Sequence, residues 1–122
     1  MSERKILIVD DEPYVTRSLT FMLKKEGYNV SSAANGEEAM AKVRESKPNL
    51  IFLDVMMPKK NGYEVCQEMK SEPGLNDVHI IMLTAKGQEA DREKGFNSGA
   101  DEFMTKPFSP MRVIEKVREL LG

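Results

Sequence analysis

Four short apolar runs each stop at a charged or hydroxyl residue, and helix-like segments separate them. Ile6-Leu7-Ile8-Val9 stops at Asp10-Asp11, Leu50-Ile51-Phe52-Leu53 at Asp54, Ile80-Ile81-Met82-Leu83 at Thr84, and Phe103-Met104-Thr105 at Lys106. Runs of this kind read as buried parallel strands. In an open parallel α/β sheet, chemistry gathers just beyond the carboxyl ends of the strands. The five polar residues are therefore expected at one rim. Three carboxylates, a hydroxyl and an ammonium in one small pocket point to a divalent metal and a phosphoryl group.

The segments between the runs carry helix punctuation. Strand one is expected over Lys5 to Val9, and Pro13 suits the first turn of a helix that reaches about Glu26 and stops at Gly27. Val15, Leu19, Met22 and Leu23 recur at helical spacing and mark its inward face. Strand two is expected at about Asn29 to Ala33. Asn35 then has the features of an N-cap, with Glu38 as the reciprocal partner of a capping box, and Lys47-Pro48 ends the second helix near Ser46. Strand three covers Leu50 to Leu53, and a third helix about Asn61 to Ser71. Strand four covers roughly Val78 to Leu83. A polar fourth helix, with few apolar anchors, is expected over about Gln88 to Asn97. Strand five covers Glu102 to Thr105. Ser109-Pro110 opens a last helix reaching Leu121, with Val113, Ile114, Val117 and Leu120 inward. The alternating pattern indicates a single-domain α/β fold with a parallel sheet covered on both faces.

Charge and composition narrow the function. The formal net charge of −2 argues against direct binding to nucleic acid. No apolar stretch approaches the roughly 20 residues of a membrane span. Met1 to Lys5 runs straight into a strand, which reads as no secretory signal, and the one cysteine, Cys66, has no internal partner for a disulfide. These features favour the cytoplasm.

The chemistry turns on how the acids are used. Adjacent Asp10 and Asp11, facing Asp54, would repel unless a cation lies between them. Mg²⁺ resolves that conflict, since it takes oxygen ligands and keeps several waters. Acids also cap helix N-termini well, so the pair alone does not require a metal. Asp54 is the candidate nucleophile, because a carboxylate can attack phosphorus to give an acyl phosphate. Lys106 supplies a point charge and Thr84 a hydroxyl donor for phosphoryl oxygens. The Lys106-Pro107 bond is left open between cis and trans. The single histidine, His79, at the start of a strand, reads as structural, as does Cys66 at helical spacing with Gly62 and Met69. Lys59-Lys60 reads as a solvated loop pair, with attraction of an anionic partner as the sharper alternative.

These residues resemble the receiver domains of two-component response regulators. The likeness runs from Lys5 to Leu121. It is carried by Val9-Asp10-Asp11-Glu12, Leu53-Asp54-Val55-Met56-Met57-Pro58 with Asn61-Gly62, Leu83-Thr84-Ala85, Gly99-Ala100-Asp101 and Lys106-Pro107-Phe108. The resemblance implies a flavodoxin-like, CheY-like (βα)5 sheet of order 2-1-3-4-5, the order that is itself a stock example for this family. It implies that residues 1–122 form one receiver domain without an output domain. Asp54 is then the phosphoacceptor. Asp10, Asp11, Asp54 and the Met56 backbone carbonyl are the Mg²⁺ ligands, with Asp10 acting largely through water. Lys106 and Thr84 engage the phosphoryl group, and Phe103 takes the place of the aromatic switch residue. Met56 and Lys86 fall at positions that tune dephosphorylation.

The implied partners are a sensor histidine kinase or phosphotransfer protein and a downstream target or separate output domain. A phosphorylation-dependent homodimer is a further expectation. The changed surface would be the fourth helix, fifth strand and fifth helix. The domain would assist its own phosphorylation and hydrolysis without being a turnover enzyme. The competing reading is a Mg²⁺-dependent aspartyl-phosphate phosphatase. Such sites usually carry a second Asp two residues after the nucleophile, where this chain has Met56. A module that never accepts phosphate and a flavin-binding domain fit the intact acidic rim poorly.

Overall fold

A computed structural model describes residues 4–57, 60–85, 94 and 97–122. Five parallel strands form one sheet: β1 (Lys5–Val9), β2 (Asn29–Ala33), β3 (Leu50–Asp54), β4 (His79–Ala85) and β5 (Glu102–Lys106). Their order is β2-β1-β3-β4-β5, as the resemblance implies. The described helices are α1 (Pro13–Lys25), α2 (Gly36–Glu45), α3 (Gly62–Ser71) and, at the C-terminus, α4 (Pro110–Leu121). The helix expected over about Gln88 to Asn97 and the position Lys86 lie outside the described residues, except for 94 and 97.

Strand alternation sorts the core into two layers. Leu7, Val9, Ile51, Leu53, Ile80 and Met82 meet α2 and α3 on one face. Ile6, Ile8, Phe52, Ile81, Leu83 and Met104 meet α1 and α4 on the other. β3 is buried along its whole length. Each such Leu, Ile or Phe contributes roughly 1.5–3 kcal/mol by leaving water. The residue at the end of this strand, Asp54, therefore stands on the best-anchored part of the sheet.

The helix starts and stops follow local chemistry. Pro13 opens α1, and Gly27 follows it with φ +98°, a conformation only glycine takes freely. Leu19 and Leu23 are buried, with Val15 and Met22 half-buried beside them. Asn35 caps α2 by accepting from Glu38 N–H at 2.9 Å. The reciprocal half of the expected capping box is displaced, because the Glu38 carboxylate accepts from Ala34 N–H instead, at 3.4 Å. A complete box stands one helix later, where Asn61 accepts from Glu64 N–H and Glu64 accepts from Asn61 N–H. Ser109 caps α4 and Pro110 follows. The Lys106-Pro107 bond is cis.

Three strands run further than the apolar pattern predicts. β3 includes Asp54, β4 includes Thr84 and Ala85, and β5 includes Lys106. Backbone pairing carries these polar residues inside the ladder, so they are held by hydrogen bonds rather than by loops. Asp10 extends β1 in the same way, donating its N–H to Ala33 O at 3.1 Å.

Candidate functional site

The polar residues at the strand ends divide between the two faces of the sheet. Asp54 follows Leu50 and Phe52 in alternation, Lys106 follows Met104, and Asp10 follows Ile6 and Ile8. All three therefore belong to the α1/α4 side. Thr84 follows Ile80 and Met82 and belongs to the opposite side, where Phe103 also packs. Phe103 and Thr84 are thus on one face, separate from the acids.

Carboxylate oxygens of Asp10, Asp11 and Asp54 lie within 4.8 Å of one another. Asp10 and Asp54 are buried, whereas Asp11 is exposed. Lys106 Nζ donates to Asp10 Oδ2 at 2.8 Å and lies 3.5 Å from Asp54 Oδ1. Asp10 Oδ1 accepts from Glu12 N–H at 2.9 Å, so both of its oxygens are engaged. An open cavity of about 430 Å³ runs along this cluster, lined by Asp11, Glu12, Pro13, Asp54, Val55, Met56, Leu83 and Lys106. Thr84 is buried, next in sequence to Leu83 of this lining. Of the five residues expected at one rim, Asp10, Asp11, Asp54 and Lys106 lie in direct contact range of one another, and Thr84 ends the adjacent strand β4 on the other face of the sheet.

The electrostatics follow from Asp10 and Asp54 sharing Lys106, with Asp11 close by. Burial pushes the Asp54 carboxyl up, Asp10 adds to the rise, and its pKa stands at about 6. Lys106 and a hydrogen bond from the Met56 backbone N–H pull the other way, and Asp11 adds a smaller rise. Burial works against the Lys106 charge, but the Asp10 hydrogen bond and the charges of Asp54 and Asp10 outweigh it and hold the ammonium above its ordinary value. The cluster therefore has an excess of negative charge and open oxygen donors. Three hard oxygen donors fit Mg²⁺.

The wall opposite α1 is set by close packing. Gly62, the first residue of α3, lies so near β3 that a Cβ there would fall 2.5 Å from the Asp54 carbonyl oxygen. Its N–H donates to Val55 O at 3.0 Å. Gly36, the first residue of α2, is equally tight, since a Cβ there would meet Lys60 O at 2.4 Å. Two glycines thus let two helix ends close on the segment that follows Asp54. Met56 is 65% exposed, and its backbone N–H reaches the Asp54 carboxylate.

Other singled-out residues have structural places. Cys66 is buried, and burial pushes its thiol up. His79 Nε2 pairs with Glu102 Oε2 at 2.6 Å, far from the acidic rim at the other end of the strands. Lys59 lies outside the described residues. Lys60 is bound to Glu68 and is only partly solvated, a contact that sequence spacing did not bring out. The His79–Glu102 contact was equally hidden, since it joins two strands whose register the sequence does not give.

Together, the doubly wound sheet and its acidic rim with a facing lysine define a class of α/β domain whose strand ends gather carboxylates of the kind that suit a hard cation. The chain belongs to the response regulator receiver domain family, whose model matches residues 6–118. It is 49% identical over 121 residues to a probable transcriptional regulator ycf27 of Cyanophora paradoxa, covering 99% of this chain and 49% of that protein. It is 47% identical over 120 residues to the transcriptional regulatory protein ResD of Bacillus subtilis (strain 168), covering 98% and 49%. A crystal structure of a putative response regulator from Chloroflexus aurantiacus J-10-fl superposes with a TM-score of 0.91 at 34% identity, covering 98% of both chains. The chain spans about half the length of the curated relatives it matches. The family binds Mg²⁺ at an acidic pocket, and the donor set here is of that kind. Among the described residues, no helix is long and apolar enough to cross a membrane.

Proposed function

We propose that this domain is a phosphoacceptor switch with Asp54 as the acceptor. The observation that carries the reading is a buried carboxylate at the end of the central strand, between Asp10, Asp11 and Lys106. An Asp54 oxygen attacks the phosphorus of a phosphohistidine on a sensor histidine kinase or phosphotransfer protein. The P–O bond of an acyl phosphate forms as the P–N bond breaks, and the imidazole leaves with a proton from solvent. With a pKa of about 6, Asp54 is mostly ionised at neutral pH yet more basic than an ordinary carboxylate. Its nucleophilicity gains from the same burial that raises its pKa.

Asp10, Asp11, Asp54 and the Met56 carbonyl would hold Mg²⁺, which supplies charge neutralisation between two anionic reactants. Lys106, already 3.5 Å from Asp54, transfers its hydrogen bond from the carboxylates to a phosphoryl oxygen. Thr84 and Phe103 share the other face of the sheet, so a movement of Thr84 toward the phosphoryl group vacates space on the side where Phe103 packs. Contacts made only in the phosphorylated state favour one of two conformations. The surface that changes is the segment before Gly99, β5 and α4. Water hydrolyses the acyl phosphate and resets the switch, a self-assisted step rather than turnover of a separate substrate.

In the cell, the domain would act in the cytoplasm, free of direct contact with nucleic acid or membrane. It would control a protein target or an attached output, with phosphorylation-dependent pairing of two copies as one form of that control. Relatives named as transcriptional regulators and twice as long make transcription control the output we propose for the full protein. The phosphatase alternative lacks its second acid, because Met56 carries no exchangeable proton.

Labelling with a small phosphodonor tests the reading. Wild type should take one phosphoryl group in a Mg²⁺-dependent manner, and Asp54→Asn should take none. Equal labelling of the variant would place the acceptor elsewhere.

A further inference from the structure

Lys60 is singled out by sequence but has no part in the chemistry above. It follows the segment that carries Val55 and Met56 and precedes the Asn61 cap of α3. Its carbonyl lies against Gly36 of α2, where no Cβ fits. Its ammonium is bound to Glu68, two turns into α3. Glu68 is held in turn by Arg44 of α2 at 2.6 Å, and Arg44 also holds Glu72 at 2.9 Å. Lys60 is therefore fixed at both ends, by packing at its backbone and by an ionic chain at its side chain. This ionic set joins α2, α3 and the residue just before the cap of α3.

Each of these pairs is partly exposed, and alone such a pair is weak. Here they form a connected set of four charges, with Arg44 placed to bridge two acids, and networks of this kind hold geometry better than isolated pairs. The groups they steady matter to the rim. Gly62, two residues after Lys60, donates its N–H to Val55 O, and Val55 adjoins Met56, whose N–H serves the Asp54 carboxylate.

We propose that Glu68 is a positioning residue for phosphoryl transfer: through Lys60 it anchors the start of α3, where Gly62 holds the carbonyl of Val55, the residue between Asp54 and Met56. This rests on Asp54 being the acceptor. It assigns Lys60 to the protein's own framework rather than to attraction of an anionic partner.

The test uses Lys60→Met, Glu68→Gln and Lys60→Arg in two measurements on the whole chain. Amide hydrogen exchange at Val55 and Gly62, followed by NMR without metal, should speed up about threefold to tenfold in Lys60→Met and Glu68→Gln and stay near wild type in Lys60→Arg. The rate constant for labelling by phosphoramidate with saturating Mg²⁺ should fall by a similar factor in the first two variants. The half-saturating donor concentration should not change, as expected for altered positioning rather than altered donor binding. Unchanged exchange in both charge-removing variants overturns the anchor. Faster exchange with unchanged labelling overturns its role in transfer. If wild type itself fails to label, the acceptor reading falls, while the exchange data still decide whether the anchor exists.

Discussion

The two ends of the sheet treat charge in opposite ways. At the amino end, acids and bases are matched. Glu102 lies between His79 at 2.6 Å and Lys116 at 2.7 Å, and Asp101 accepts from Lys70 at 3.1 Å and from Ile80 N–H at 2.8 Å. Burial works against the Glu102 charge, but hydrogen bonds from Lys116 and His79 outweigh it and hold the carboxyl below its ordinary value. At the carboxyl end, Asp10 and Asp54 share Lys106 beside Asp11, and Asp54 rises to about 6. The matched end stabilises the fold. The unmatched end retains a deficit of positive charge that a metal and a lysine-bound phosphoryl group can relieve. Local electrostatic conflict of this kind persists where function requires it.

The contrast breaks most sharply if the Lys106 ammonium is removed. Lys106→Met leaves Asp10 and Asp54 facing each other, and the variant should lose about 2–4 kcal/mol of stability at pH 7.5, read from urea unfolding. Much of that loss should return at pH 5, where Asp54 takes up a proton.

A smaller effect of opposite sign is expected from Asp54→Asn. The native pKa of about 6 stands above the ordinary 3.8, so between those values the folded state binds the extra proton and stability falls as pH rises. Above pH 6 the full penalty is present. In metal-free buffer at pH 7.5 the variant should therefore be more stable than wild type, by about 2 kcal/mol, and the gain should vanish near pH 4. Calorimetric melting at the two pH values checks it.

At the amino end the sign reverses. Glu102 has a depressed native pKa, so its contribution is present above the unfolded value and is lost as pH falls through the native one. Glu102→Gln should cost about 1 kcal/mol at pH 7 and progressively less as pH falls below the ordinary carboxylate range, again by urea unfolding. Phosphodonor labelling of this variant should match wild type, since Glu102 lies at the far end of β5 from Lys106.

Much of this division was legible in the sequence at one end and hidden at the other. Asp10, Asp54 and Lys106 each close an apolar run, and the convergence of strand ends in a parallel sheet does the rest. The strand order came from family resemblance, because crossover rules alone leave several orders open. The face on which Thr84 lies follows from alternation, but only once its strand is known to continue through Ala85. The His79–Glu102–Lys116 and Arg44–Glu68–Lys60 sets join residues from separate elements. Such contacts depend on register and helix rotation, which no local pattern encodes. The Asn61–Glu64 capping box was the one missed feature with a readable signal, an Asn followed three residues later by Glu before an apolar stretch.

The most direct trial of Asp54 as the acceptor is reductive trapping. After incubation with phosphoramidate, borohydride converts a phosphorylated aspartate to homoserine, and peptide sequencing reports its position. Homoserine at position 54, formed only when Mg²⁺ is supplied, is the outcome expected here. Homoserine at position 10 or 11, or trapping at 54 that ignores magnesium, would contradict it.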